Sequence, residues 1–195
     1  MICISIFGKI VGEVNISRSP VKPEWRFSLR PDPSKDRTLP CIASGLLGYS
    51  LASSTKATHA LAQCNGIRGG ALLVEYATAV HSYSDQPGFV DFNILGTVKR
   101  VGVNEAGRLS VLLEVQSPSV TSPDTHEVFL IPRLDLSGHE GRAIWATGSE
   151  CWVANRRSGN VPIICLEATR CVKLDTSEIG FAKITPEGEA LCRTR

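Results

Sequence analysis

The sequence predicts an all-β protein built as two successive copies of a small five-stranded barrel. Three observations carry this expectation. Apolar residues alternate with polar ones in short runs, turn signals punctuate those runs, and the first half of the chain echoes the second at near-constant spacing. "ISIFGKIVG" (Ile4–Gly12) matches "FNILGTVKR" (Phe92–Arg100) in pattern, with Gly8 and Gly96 at the same place. Pro40 and Pro132, Glu75 and Glu167, and Val80 and Val172 are each 92 residues apart. The Ser-Gly pairs at 44–45 and 137–138 are 93 apart, a slip of one residue.

In the first copy the expected strands are Cys3–Val14, Glu24–Arg30 and Arg37–Ser44. A helical stretch follows over Leu46–Lys56, then a hairpin through Asn65–Gly70. In the second, Phe92–Val101, Leu109–Gln116 and Glu127–Leu136 are strands. Leu109, Val111, Leu113 and Val115 point one way, and Ser110, Leu112 and Glu114 the other. A short helix or turn is expected over Gly138–Ala146, with Trp145 packing it against the barrel. Cys151–Arg157 and Val161–Leu174 then form a hairpin around Ser158-Gly159-Asn160, a tight-turn signal. Three strands, a helix and two more strands is the order of an OB-fold, a five-stranded Greek-key barrel. The expected boundaries are an OB repeat over 1–84, a turn-rich linker over 85–90 within "SDQPGF", a second repeat over 91–175 and a tail over 176–195.

Composition is that of an ordinary globular chain, 43% hydrophobic and 21% charged. The net charge of +2 does not by itself argue for a polyanion partner, but its distribution is uneven. Residues 1–84 hold nine Lys/Arg against five Asp/Glu, whereas 91–175 hold nine against ten, so a phosphate-facing surface is expected in the first half. Seven cysteines, an odd number with no C-x-x-C pair, read as reduced thiols. The apolar run "ICISIF" is too short to span a membrane. A soluble, cytoplasmic protein is the expectation.

"ILGTVKR", "IPRLDLSGHEGRAI" and the hairpin leading into "CLEATRCVKL" together resemble the bacterial PriB family of primosomal replication proteins. That family is an OB-fold relative of the bacterial single-stranded DNA-binding proteins (SSB). The resemblance covers about Asp91–Asp175 and is carried by Gly96, Thr97, Val98, Pro132, Ser137, Gly138, His139, Glu140, Ala143 and Ile144. It implies an OB-fold, no catalysis, and binding of single-stranded DNA. A tandem chain would supply two OB copies as a covalent pseudo-dimer, from which a homo-oligomer could be built. The ending "EALCRTR" departs from the acidic, Phe-terminated tip of a typical SSB.

Single strands are held by cations along the backbone and by aromatic faces that stack bases. In "EWRFSLR", Trp25 and Phe27 share one strand face, Arg26 and Arg30 the other. Trp25 reads equally as barrel core. Arg156 and Arg157 fall in the loop joining the last two strands, and Arg68 takes the comparable place in the first copy. Lys99 and Arg100 end a strand that could reach the same groove, and Trp152 is either a stacking platform or core. The candidate binding residues are therefore Trp25, Arg26, Arg30, Arg68, Lys99, Arg100, Trp152, Arg156 and Arg157. With twelve aromatics in the chain, several of them needed in two cores, phosphate contacts should dominate affinity. Both DNA and RNA stay open as the ligand, and replication or primosome proteins are candidate partners.

Enzymatic readings find no support. His139-Glu140 would need a second His at 143 to open a zinc-protease helix, and Ala143 is there. "GIRGG" lacks the Lys-Ser/Thr of a phosphate loop, and no G-x-S-x-G nucleophile elbow occurs. The expectation is no enzyme, no metal and no cofactor. The competing reading is an OB-type protein-interaction or scaffold subunit of a nucleoprotein complex with little direct DNA contact. An outward-facing Leu112 would mark an apolar interface in that case.

Overall fold

The computed structural model describes residues 1–17, 24–53, 58–80, 87–104, 106–116, 125–155 and 161–174. The first five strands are β1 (Ile2–Ser17), β2 (Glu24–Arg30), β3 (Leu39–Ser44), β4 (His59–Arg68) and β5 (Ala71–Val80), with α1 (Gly45–Ser53) between β3 and β4. They close on themselves. β1 pairs with β2 and β4, β2 with β3, β3 in parallel with β5, and β5 with β4. The length of β1 makes closure possible: Ile4–Lys9 meets β4 and Lys9–Ser17 meets β2, with a register shift between Val11 and Asn15 that turns the strand. The inward residues Ile4, Ile6, Phe27, Leu29, Leu39, Cys41, Cys64 and Leu72 fill the barrel, and Leu51 of α1 joins them.

The second half follows the same path through β6 (Phe89–Val103), β7 (Leu109–Gln116), β8 (Thr125–Ile131), β9 (Ala143–Gly148), β10 (Glu150–Asn155), β11 (Pro162–Glu167) and β12 (Arg170–Lys173). β6 pairs with β7 and β9, β7 with β8, β8 in parallel with β11, β11 with β10, and β12 with β9. The long final hairpin of the first half is therefore interrupted in the second, at Ser149 on one limb and at Ala168-Thr169 on the other. At the corresponding bend β4 and β5 stay continuous through a bulge between Gln63 and Gly66. Gly148 explains the sharper break. A methyl group there would overlap the Glu167 carbonyl and the ring of Phe92, so only glycine lets the strands pack this closely.

The helix expected over Gly138–Ala146 is not formed. Gly138 and Gly141 have φ of 73° and 79°, a left-handed conformation that ends any helical run. The segment makes successive turns instead: His139 N–H donates to the Leu136 carbonyl and Arg142 N–H to the His139 carbonyl. Asp135 accepts from the Ser137 N–H at 2.9 Å, and His139 Nδ1 lies 2.9 Å from the Ser137 carbonyl. Gly141 N–H and Val98 N–H then bond reciprocally across to Val98 O and Arg142 O, fastening the turn to β6. Trp145 consequently packs no helix. It sits on β9, donates from Nε1 to Asn93 Oδ1 at 2.6 Å, and carries Arg170 over its ring at 5.4 Å. The third strand of the second half also ends early, at Ile131 rather than Leu136, and β6 begins at Phe89, inside the segment expected as linker. Residues 175–195 lie outside the described residues.

β1 and β6 join the halves into one sheet, antiparallel, with Ile2 opposite Ile94, Ile4 opposite Phe92 and Phe7 opposite Phe89. A shift of 88 residues, the one that brings Gly8 onto Gly96, carries this set of pairs onto itself with Ile4 and Phe92 on the axis. Buried apolar residues of both halves form one continuous cluster.

Candidate nucleic-acid interface

The expected alternation of β2 holds. Trp25, Phe27 and Leu29 turn inward, while Arg26 is exposed, with Ser28 and Arg30 on the same outer face. Trp25 is 9% exposed and so offers little ring surface to a base. Beyond Arg30 the chain makes a tight loop: Asp32 accepts from Ser34 N–H at 2.9 Å and from Ser34 Oγ at 2.6 Å. Those two bonds hold the Asp32 carboxyl below its ordinary range. The loop projects Lys35 and Arg37 toward β10 of the other half.

There Arg37 helps form a cleft of about 420 Å³, lined on one side by Ser28, Asp36, Arg37, Thr38 and Pro40 and on the other by Trp152, Val153 and Asn155. The Arg37 guanidinium lies 5.1 Å from the centre of the Trp152 ring. Lys35 Nζ is 3.1 Å, and Arg37 3.8 Å, from the Glu150 carboxylate. Arg30 bonds Asp36 at 3.1 Å. No ion pair holds Arg26 among the described residues, so the cleft opens onto a strand face carrying an available cation.

A second cleft, of about 520 Å³, mirrors the first. The first combines the outer face of β2 and β3 with the hairpin strand β10. The second combines the outer face of β7 and β8 with the turn between β4 and β5, where Gly70 abuts Pro162. Its chemistry differs. Lys99 is held by Glu114 at 2.6 Å and Glu127 at 3.4 Å, and these bonds, the one to Glu114 foremost, raise its pKa above the ordinary lysine value. Its lining holds no Phe, Tyr or Trp, and its one aromatic ring is the imidazole of His126. Arg68, next to the turn, pairs with Glu24 at 2.6 Å.

Of the expected residues Trp152 lines the first cleft and Lys99 the second; Arg26 and Arg30 lie on the outer face of β2 with Ser28, which lines the first cleft, and Arg68 precedes the turn that lines the second. Arg100 is exposed on β6 at a register shift beside Lys99. Arg156 and Arg157 lie outside the described residues, immediately after Asn155 of the first cleft. Leu112 faces outward opposite Phe129 and both are half-buried. Lys35 and Arg37 were not expected at a site. The only local signal for them is a pair of cations within "PSKDRT", between two strands.

Among the described residues no group of three or more His, Cys, Asp or Glu is placed to hold a metal ion, and no helix is long and apolar enough to cross a membrane. No protein-family model matches the sequence, and no curated protein matches it. Solved structures do. The wild-type single-stranded DNA binding protein from Thermus aquaticus superposes with a TM-score of 0.59 at 11% identity, covering 90% of this chain and 93% of that one. A deletion mutant of the same protein gives a TM-score of 0.60 at 12% identity, covering 90% and 95%. The likeness runs through both halves and, at such low identity, is a likeness of fold: the all-β architecture is of the OB type.

Proposed function

We propose that this chain is a non-catalytic single-stranded DNA-binding protein of the SSB or PriB type, serving DNA replication or its restart in the cytoplasm. In this reading its two OB copies act as a covalent pseudo-dimer. The observation that carries it is the β2–β10 cleft, where an exposed cationic strand face leads to a half-exposed tryptophan, the two elements a single strand needs. The fold likeness to an SSB supports it, as does the β1–β6 register, which admits a two-fold relation between the halves. Arg26, Arg30, Arg37 and Trp152 lead binding, with Arg156 and Arg157 as further candidate phosphate contacts by sequence. In the second cleft Glu114 and Glu127 oppose phosphate and occupy Lys99, so the cleft built on β2 of the first half and β10 of the second leads binding. Partners from the primosome and assembly of pseudo-dimeric chains into a homo-oligomer belong to the same reading.

A second reading, a protein-interaction subunit, is favoured by one observation: the outward Leu112 and Phe129 form a half-buried apolar pair. Fluorescence anisotropy with labelled dT oligomers, double-stranded controls and a salt series separates the two. Preferential single-strand binding supports the first reading, and absence of binding at low salt supports the second.

A further inference from the structure

We infer that Glu150 is an internal competitor for phosphate: it occupies the cations of the β2–β10 cleft, and through Arg37 covers Trp152, until a single strand displaces it. This rests on the nucleic-acid reading above and adds how the site is held closed. Lys35 and Arg37, both on the loop between β2 and β3, converge on the one carboxylate of Glu150 at 3.1 and 3.8 Å. Arg37 simultaneously lies 5.1 Å over the Trp152 ring, two residues along β10 from Glu150. Lys35 is also 3.7 Å from Asp32, so the Glu150 carboxylate neutralises Arg37, shares Lys35, and keeps the guanidinium on the face a base would use.

The arrangement is poised to exchange. Side chains of Lys35, Arg37 and Glu150 are 46%, 52% and 44% exposed, so their pairing is solvent-screened and weak enough to be replaced. Glu150 also stands directly across from Glu167 on β11, an unfavourable juxtaposition of like charges. Glu167 takes the close contacts of Arg108, at 2.6 and 3.3 Å, so the ion pairs within 4 Å of Glu150 are those to the loop cations. A strand phosphate presents the same anionic acceptors, with a base attached that can take the place of the guanidinium on the indole.

The test measures dT-oligomer affinity at low salt for wild type, E150Q, K35A/R37A and the triple variant, with circular dichroism to confirm the fold. E150Q is expected to bind about fivefold more tightly than wild type, and the same change in the K35A/R37A background to have no effect. Equal or weaker binding by E150Q overturns the inference while leaving the binding reading intact. So does equal tightening in both backgrounds, which would be charge removal without displacement. Absence of binding by every variant overturns the reading itself and this inference with it.

Discussion

Arg37 of the first half lies 5.1 Å over the ring of Trp152 in the second. The contact joins a loop between two strands of one barrel to a hairpin strand of the other, and makes the cleft a property of the whole chain. Trp152→Ala should weaken dT-oligomer binding about tenfold, within the 1–3 kcal/mol that stacking contributes per base. Circular dichroism should be unchanged. Unaltered affinity would show that no base uses this ring.

Salt should govern the affinity. With about five phosphate contacts, log affinity should fall against log salt with a slope of roughly −3 to −4. The double replacement of Arg26 and Arg30 by Ala should weaken binding several-fold and flatten that slope by about 1.4, two contacts at ~0.7 each. A salt-independent interaction would contradict phosphate-led binding.

The second cleft offers a gain-of-function check. Replacing Glu114 and Glu127 by Gln removes both partners of Lys99. Its ammonium then becomes available to phosphate, and the salt slope should steepen by about 0.7. An unchanged slope would place this cleft outside the path of the strand.

Gly148→Ala should destabilise the fold by about 1–3 kcal/mol, the cost of overpacking a filled site, because the added methyl meets the Glu167 carbonyl and the Phe92 ring. Urea denaturation measures it. A loss below 0.5 kcal/mol, about the scatter of neutral surface changes, would show that the bend relaxes freely.

The thiols should divide by reactivity. Cys3 is exposed, whereas Cys41, Cys64, Cys151 and Cys165 are buried. Burial pushes Cys165 up to about 11 and raises Cys151 further, and a hydrogen bond with Cys64 that favours the neutral thiol, then burial, raise Cys41. In native protein at pH 8, iodoacetamide should label Cys3 and spare those four, as read by peptide mass spectrometry. The sign of the linkage follows. The unfolded thiols ionise near pH 8.5 while folded Cys41, Cys151 and Cys165 resist, so their contribution to stability is full below that value and falls as pH rises toward 11.

Much of the fold could be read along the chain because it depends on local pattern. β2 begins and ends where the alternation of "EWRFSLR" does, and Val111, Leu113 and Val115 of β7 are buried as its periodicity names, with Leu109 half-buried at the strand end. The exceptions were set by contacts distant in sequence. The turns at Gly138 and Gly141 are fastened to Val98, so apolar Ala143 and Ile144 enter a strand, not a helix. The break at Gly148 answers to Phe92. The site was harder still: Lys35 and its partner Glu150 are 115 residues apart, and no periodicity within either segment points to the other. Trp25 was ambiguous for a different reason, since a core tryptophan and a stacking tryptophan look alike until the strand's inward face is known.

β1 is hydrogen-bonded on both sides, with Ile2–Phe7 against β6 and Ile4–Lys9 against β4. Severed from its other half, residues 1–84 would carry an open, apolar strand edge of the kind that recruits another chain. The antiparallel register with Ile4 at its centre means that the nearest suitable recruit is a second copy of the same fragment. The halves are thus poor building blocks for modular engineering: transplanted singly, each would search for a substitute for the neighbour it lost.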